Sequence, residues 1–247
     1  MRLDSTSYTK QRIAIAQPTF LPWIGWFDLA DQVETLVILD DVPFSKQSWQ
    51  QRNRIRTAKE LEFLTVPVKS SGRMGQLICE VELAAQPFFE KSIKSFQLNY
   101  SRAPFFSVLF DGFASAFEVG VKSGRLVDLN VTLITWMARQ LGISTPMQKA
   151  TPLEVAGERG EHVAAICEKL GATQYLSPAG AEGYLLEDRG AFDRRKIGVW
   201  LHEYNHPTYS QRFKPFISHA SAIDLIFNAG PQAGELMRSG RCAPRPL

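Results

Sequence analysis

Short apolar runs alternate with segments of helical periodicity at both ends of this chain, and this alternation leaves few folds open. The runs IAIA (13–16), TLVILDD (35–41), TQYLS (173–177) and KIGVWLHEY (196–204) have the apolar character of buried strands. Near-continuous apolar runs of this length are typical of parallel strands that helices cover on both faces. The sequence therefore predicts an α/β fold with a mainly parallel central sheet flanked by helices.

Longer segments between these runs show the period of amphipathic helices. The clearest one places apolar residues at steps of three or four: Leu126, Leu129, Leu133, Met137 and Leu141. Gly142 stops that run, and Gly171 is expected to cap a second helix at 157–172. Further helices are predicted at these positions: after Pro22, at 86–99, at 104–119 and at 219–230. Because several of them are consecutive, a helical insertion is expected at about residues 85–145.

Two more strands are predicted between the second apolar run and the helical insertion. They are EFLTVPV (62–68) and QLICEVEL (76–83). Pro67 places the end of the first of them at a sheet edge or a bulge, since proline cannot donate a ladder hydrogen bond.

Composition bounds the broad class of the protein. A chain of 247 residues with 45% hydrophobic content is expected to form a single domain over 1–247, with loose ends at 1–12 and 238–247. The net charge of +3 is too balanced for wholesale binding to nucleic acid or membrane. Three widely spaced cysteines favour reduced thiols, and no apolar stretch approaches 18 residues. A cytoplasmic protein without stable membrane insertion is expected.

Three unusual segments follow predicted strands: AQPTFLPW (16–23), LDDVPFSKQSWQQRNRIRT (39–57) and HEYNHPTYSQRF (202–213). In open α/β sheets the ligand lies outside the carboxyl ends of the strands, where such loops converge. We therefore expect these segments to build the site. In the first of them Gln17 is the predicted ligand contact, whereas the prolines and tryptophans around it are more typical of a packed turn.

The second segment concentrates charge and aromatic surface. Seven of its side chains are candidates for substrate contacts: Asp40, Asp41, Lys46, Trp49, Arg52, Asn53 and Arg54. The aspartates suit a metal, a basic side chain or sugar hydroxyls, and the lysine and arginines suit phosphate or carboxylate. The asparagine suits a base, an amide or a hydroxyl. The alternative is a solvated basic loop in which the arginines pair with the two aspartates.

The third segment supplies four candidates: His202, Asn205, His206 and Tyr209. His206 precedes Pro207, so it is expected to be extended, which argues against a helical zinc pair. A metal site would need further ligands, and none is predicted. One histidine is predicted to be a general acid or base, and a structural, hydrogen-bonded histidine is the alternative. Surface or capping roles are expected for His162 and His219.

Several catalytic classes lack their motifs. The chain has no GxSxG elbow, no GxxxxGK[ST] loop and no GxGxxG after its first strand. Hydrolases with a nucleophile elbow, P-loop proteins and conventional dinucleotide-binding proteins are therefore disfavoured.

An ordered set of motifs resembles the WbqC-like protein family over about residues 13–230. The motifs are IAIAQPTFLPWIGWFDLADQVETLVILDDVPFSKQSWQQRNRI, FLTVPVK, LNVTLITWMARQLGI, LGATQYLSPAGAEGYL, YNHPTYSQ and AIDLIFNAG. This resemblance implies an accessory of bacterial surface-polysaccharide gene sets such as those for O-antigen, in settings that make or decorate amino sugars. It assigns no catalytic residues, so the candidates above rest on local chemistry.

These observations lead to a first hypothesis of a transferase that joins an acyl or aminoacyl group to a nucleotide-linked amino sugar through an amide bond. The donor would be a thioester of coenzyme A or of the phosphopantetheine of a carrier protein, and no other cofactor is expected. Two alternatives stay open. One is a glycosyltransferase that uses a nucleotide sugar and a divalent metal on Asp40 or Asp41, and the other is a non-catalytic protein that binds a carrier protein or a sugar nucleotide.

In the first hypothesis the lysine and arginines of the second segment bind phosphates. His206, or else His202, removes a proton from the attacking amine, which Asp41 positions. Gln17 or Asn53 stabilises the oxyanion that develops on the thioester carbonyl.

Overall fold

A six-stranded sheet forms the centre of the protein in the computed structural model, which describes residues 11–85 and 87–247. The strands in chain order are β1 (Arg12–Ala16), β2 (Thr35–Ile38), β3 (Arg52–Arg56), β4 (Leu61–Thr65), β5 (Met147–Lys149), β6 (Gln174–Ser177), β7 (Gly198–Leu201) and β8 (Arg245–Pro246). The sheet has the order β5-β2-β1-β6-β7-β8, and only the pair β7-β8 is antiparallel. The predicted mainly parallel α/β fold is confirmed.

Helices cover both faces of this sheet. In chain order they are α1 (Ile24–Ala30), α2 (Phe88–Tyr100), α3 (Phe106–Lys122), α4 (Leu126–Gln140), α5 (Arg159–Lys169), α6 (Glu182–Glu187), α7 (Arg189–Asp193), α8 (Ala222–Ala229) and α9 (Ala233–Arg238). The consecutive helices α2, α3 and α4 confirm the predicted helical segment in the middle of the chain, although Gln86, at the predicted start of the first of them, lies outside the described residues. None of the helices that the structure describes is long and apolar enough to cross a membrane.

Strand β1 shows how the apolar runs specify two cores. Ala14 and Ala16 belong to the cluster formed with α1 to α4, α8 and α9, whereas Ile13 and Ile15 belong to the cluster formed with α5 to α7. Successive side chains of a strand point to opposite faces, so a fully apolar strand buries both faces. This is why the run in β1 shows no polar alternation.

The segment between β2 and α2 differs from the prediction. RNRIR, assigned to a loop, forms β3 and pairs antiparallel with β4 in a separate two-stranded sheet. EFLTVPV does contain a strand, but QLICEVEL does not: Ile78–Glu80 is a single 3-10 turn held by isolated bridges. The strand prediction for QLICEVEL is wrong. Its alternating residues make isolated bridges to different segments and do not pair continuously with one strand.

The C-terminal tail, predicted to be loose at 238–247, makes defined contacts. Strand β8 pairs with the end of β7, and Arg241 Nε donates to Asp28 Oδ1 at 2.8 Å. At the other end of the chain, residues 1–10 lie outside the described residues.

A buried carboxylate connects α1 to the chain after β7 and to the tail. Asp28 is fully buried, and its oxygens accept hydrogen bonds from Gln32 Nε2 at 2.7 Å and from Arg241 Nε at 2.8 Å. His202 Nε2 lies 2.8 Å from Asp28 Oδ2. Burying charged groups costs free energy because they lose their hydration, and their mutual attraction offsets this cost. Removing one partner therefore leaves the desolvation cost of the others unopposed.

We expect Asp28→Asn to lower the free energy of unfolding by about 3 kcal/mol, because a fully buried amide cannot replace the carboxylate as the acceptor of the charge-assisted hydrogen bond from Arg241 and would leave buried polar atoms unpaired. Urea denaturation at neutral pH measures this change. The control is Glu118→Gln, which removes the exposed pair of Glu118 with Lys122 and should cost about 0.5 kcal/mol or less. Equal losses in the two variants would contradict the role of Asp28.

Candidate functional site

A cleft of about 240 Å³ lies between the loop after β1, the first turn of α1, the β3-β4 hairpin and the chain before α8. Its lining, which defines the aromatic cleft, consists of Thr19, Trp23, Trp26, Trp49, Asn53, Arg54 and His219. Trp49, Asn53 and Arg54 are among the substrate-binding residues predicted from the sequence. The structure therefore brings together three of them and adds tryptophans that the sequence favoured as parts of a packed turn.

The walls of the aromatic cleft are held by ring contacts. Trp23 stacks on His219 with centroids 5.2 Å apart and packs edge-on against Tyr204 at 5.6 Å. Trp49 is 49% exposed and lies 5.9 Å from Phe63 across the hairpin. Trp26 keeps a buried Nε1 without a hydrogen-bond partner among the described residues. Such walls suit the flat face of a ring-shaped ligand.

The two polar residues that β3 brings to the cleft have different roles. Asn53 is buried, and its Nδ2 donates to the carbonyl oxygens of Phe20 and Leu21 at 3.1 and 2.9 Å. Its Oδ1 accepts from the backbone nitrogen of Arg54. The Arg54 guanidinium lies 5.4 Å from the Trp49 ring, and its Nε has no partner in the described part of the chain. Asn53 therefore shapes the wall, while Arg54 lines the cleft with a buried Nε that has no partner among the described residues.

His206 lies against the aromatic cleft with a basic nitrogen free. Its Nδ1 is 2.9 Å from the Pro207 carbonyl oxygen, which can only accept, so Nδ1 carries the proton and Nε2 of the neutral ring has the lone pair. Nε2 is buried and has no described partner. Burial lowers the pKa of His206, and His219 lowers it further, against the opposing effect of the Pro207 carbonyl. This tautomer is the one that a general base requires.

His219, predicted to have a surface or capping role, is exposed as a surface role requires, but it does not cap α8. It lines the aromatic cleft, its ring centroid is 5.0 Å from that of His206, and Ser221 is the residue that caps α8. Burial and the charge of Arg54 lower the pKa of His219. Its φ of +64° is rare for a residue with a side chain and leaves no mark in the sequence.

His202, the second base candidate, is placed away from the cleft lining. It is 6% exposed, and its Nε2 is held by Asp28. Tyr209 is also buried, and its hydroxyl donates to Asp224 Oδ2 at 2.7 Å. Asn205 is exposed on the chain that follows His202. Of the third segment, only His206 combines contact with the cleft lining and a free polar atom.

The remaining candidates of the second segment are dispersed. Lys46 is exposed, and Arg52 lies over the Phe63 ring at 4.4 Å instead of lining the cleft. Asp40 is buried and accepts from the backbone nitrogen of Thr151 at 2.9 Å. Asp41 Oδ2 is 3.2 Å from His162 Nε2.

Gln17 and His162 lie at a different cavity from the aromatic cleft. The exposed Gln17 accepts from Gln50 Nε2 through its Oε1 at 2.9 Å. His162 is 5% exposed, so its predicted surface or capping role is wrong. Within the two described stretches of the chain, no three His, Cys, Asp or Glu side chains lie close enough to hold a metal ion.

Comparison with known proteins identifies relatives across most of the chain. The family model described as WbqC-like protein family matches residues 17–236. The uncharacterized protein Rv1507c of Mycobacterium tuberculosis is 32% identical over 229 residues, which cover 92% of this chain and 98% of that protein. No solved structure matches the chain.

The histidine environments predict a specific order of titration. His206 and His219 should titrate below the ordinary value of 6.5, because burial disfavours their charged forms, and His162 above it, because Asp41 stabilises its imidazolium. NMR spectra of histidine-labelled protein, assigned with single His→Gln variants, measure these values. A value above 6.5 for His206 would contradict its assignment as a neutral base.

The same shifts have opposite consequences for stability. As the pH falls, His206 takes up a proton in the unfolded chain before it does so in the folded protein. The free energy of unfolding therefore decreases as the pH falls from 6.5 through the lowered pKa of His206. The stabilisation from His162 is fully present below 6.5 and is lost as the pH rises through its raised pKa.

Proposed function

The chain belongs to the WbqC-like protein family, and on that basis we propose that its aromatic cleft is the acceptor site of a transferase in bacterial surface-glycan or amino-sugar biosynthesis. The reaction joins the acyl or aminoacyl group of a thioester to the amine of a nucleotide-linked sugar. The observation that carries the proposal is the unpaired Nε2 of His206, which is buried beside the cleft in a neutral ring that stacks on Trp23.

The proposed reaction balances without a further reagent. The sugar amine, after losing its ammonium proton to solvent, attacks the thioester carbonyl, and a carbon–nitrogen bond forms. His206 Nε2 takes the second proton from the nitrogen, the carbon–sulfur bond breaks, and the proton returns to the leaving sulfur. His219 makes no salt bridge to a described residue, and its ring, 5.0 Å from that of His206, offers a second imidazole at the cleft whose pKa burial and the charge of Arg54 lower.

The other cleft residues supply binding. Arg54 can donate two parallel hydrogen bonds to a phosphate of the nucleotide, and the ring of Trp23 or Trp49 supports the sugar or the base. Holding the amine near the carbonyl would supply much of the rate. Asn53 is a weaker candidate for the oxyanion than the sequence implies, because both of its amide donor bonds go to backbone carbonyls.

Two observations favour this transferase over the metal-dependent glycosyltransferase. Asp40 already accepts a backbone hydrogen bond from Thr151, and Asp41 lies against His162. Neither carboxylate belongs to the lining of the aromatic cleft. In the non-catalytic alternative the cleft binds a sugar nucleotide or a carrier protein. Formation of the amide product distinguishes the transferase from this alternative.

Replacing Arg54 by Gln should raise the KM for the nucleotide-linked amino sugar at least about 10-fold with little change in kcat, because a charge-assisted hydrogen bond to phosphate would be lost. Steady-state kinetics with acyl-coenzyme A as donor and mass-spectrometric detection of the amide measure this effect. Arg52→Gln is the matched control, since Arg52 lies on the same strand and stacks on Phe63 outside the cleft lining. A change of the same size in the control would exclude a specific role for Arg54.

Replacing His206 by Gln should lower kcat about 100-fold or more, because the general base would be removed. The variant should still be stabilised against heat by the nucleotide sugar to the same extent as the wild type, which separates catalysis from binding. Full activity of His206→Gln would show that another group is the base. Binding by the wild type without turnover, with every thioester donor tried, would support the non-catalytic alternative.

A further inference from the structure

A second cavity lies where ligands bind in other open α/β sheets. The chain passes from β1 to β2 and β5 on one side and then crosses to β6 on the other side of β1. Ligands of such sheets lie outside the carboxyl ends of the strands at this reversal of strand order. The cavity there has a volume of about 330 Å³, and its lining, which defines the strand-end pocket, consists of Gln17, Leu39, Val42, Pro43, Arg159, His162, Val163 and Tyr184.

One residue of the strand-end pocket is a buried histidine whose ring nitrogens make no aligned hydrogen bonds within the described part of the chain. His162 is 5% exposed, and neither of its ring nitrogens makes an aligned hydrogen bond to a described residue. The contact of its Nε2 with Asp41 Oδ2, at 3.2 Å, raises the pKa of His162 and so favours the imidazolium, which has a proton on both nitrogens. The backbone of Val155 and Ala156 also raises the pKa of His162, but neither residue makes an aligned hydrogen bond with the ring, so the buried Nδ1 donor lacks a well-placed acceptor among the described residues.

Two more lining residues present hydrogen-bond donors. The Oε1 of Gln17 is occupied by Gln50, so the amide group left to a ligand is the NH₂ donor. Arg159 pairs with Glu187 at 2.8 Å and with Asp188 at 3.6 Å. The Arg159 and Glu187 side chains are 59% and 70% exposed, and exposed pairs contribute little, so an anion can replace the carboxylate.

The remaining walls of the pocket are apolar. Leu39, Val42, Pro43 and Val163 face the cavity together with the ring of Tyr184. Apolar walls with a few convergent donors are typical of small-molecule sites. Since Gln17, Arg159 and His162 of the lining present donors, the complementary ligand has acceptors at one end and an apolar body.

We propose that the strand-end pocket binds a small amphipathic oxyanion, a carboxylate or a phosphate monoester, with Arg159 and His162 on the oxyanion and the apolar walls around its body. Asp41 positions His162 and does not contact the ligand. This inference does not depend on the reaction proposed for the aromatic cleft. The linings of the two cavities have no residue in common.

The test measures binding of three probes to the full chain: hexanoate, butyl phosphate and the neutral 1-hexanol. Saturation-transfer NMR titrations give the Kd of each probe. At least one of the two anions should bind at least about 10-fold more tightly than 1-hexanol, and the better anion identifies the natural headgroup as carboxylate or phosphate. Arg159→Gln and His162→Asn should each weaken that binding about 10-fold or more.

A matched variant should leave the affinity unchanged within about 2-fold: Arg194→Gln, in which a similarly exposed arginine paired with Glu161 is removed. Because Arg54 is proposed to bind phosphate, Arg54→Gln reports any binding of the anions at the aromatic cleft. Arg159 is exposed, so Arg159→Gln tests the proposal even if His162→Asn fails to fold. The proposal is overturned if neither anion binds better than 1-hexanol, or if Arg54→Gln removes binding while Arg159→Gln does not.

Discussion

Two buried asparagines hold the loop that leaves β1, and both cavities depend on that loop. Pro18, Phe20 and Leu21 are buried, although a loop has backbone carbonyls that need hydrogen-bond donors. Asn130 of α4 donates to the carbonyls of Pro18 and Gln50, each at 2.8 Å, and Asn53 donates to those of Phe20 and Leu21. The loop is thus fixed to the helical segment and to the hairpin, and with it Gln17 and Thr19 at the two cavities.

Three of the four histidines show how environment assigns different chemistry to one residue type. His206 faces a carbonyl and aromatic rings, so burial keeps it neutral. His162 faces a carboxylate, so the charged form is favoured. His202 is bound into a network with a buried carboxylate and a tail arginine. From the sequence alone, each histidine is a side chain that ordinarily titrates near neutral pH. The groups that contact its ring in the fold determine whether it is a base, a hydrogen-bond donor or a structural link.

Much of the fold could be predicted because apolar runs and helical periods are local signals. The runs of β1 and β2 and the period of α4 are of this kind. Strand β3 escaped prediction because its buried residues are an asparagine, an isoleucine and an arginine, Asn53, Ile55 and Arg56, so the pattern resembles a charged loop. The hairpin is specified by cross-strand pairs that no single segment contains.

The candidate site was predictable only in part, for the same reason. Residue type alone suggests a binding or catalytic role for Arg54, Trp49 and His206, and the structure places all three in or against one cleft. His219 and Trp23 join that cleft through a stacking contact between residues nearly two hundred positions apart. Asn53 has the residue type of a ligand contact, yet its amide is used on the backbone. Residue type indicates what a side chain can do, and the fold decides whether its polar atoms are already engaged.

The shared loop also bears on how the two cavities work together. Gln17 and Thr19 are separated by one residue, so their Cα atoms are at most about 7 Å apart. A loop whose carbonyls are bound by buried side chains cannot shift at one cavity without disturbing the other. The positions of Gln17 and Thr19 are therefore fixed relative to each other, and preorganisation of this kind lowers the entropic cost of binding. The asparagines that fix the loop thus connect the fold of the protein to whatever chemistry its two cavities support.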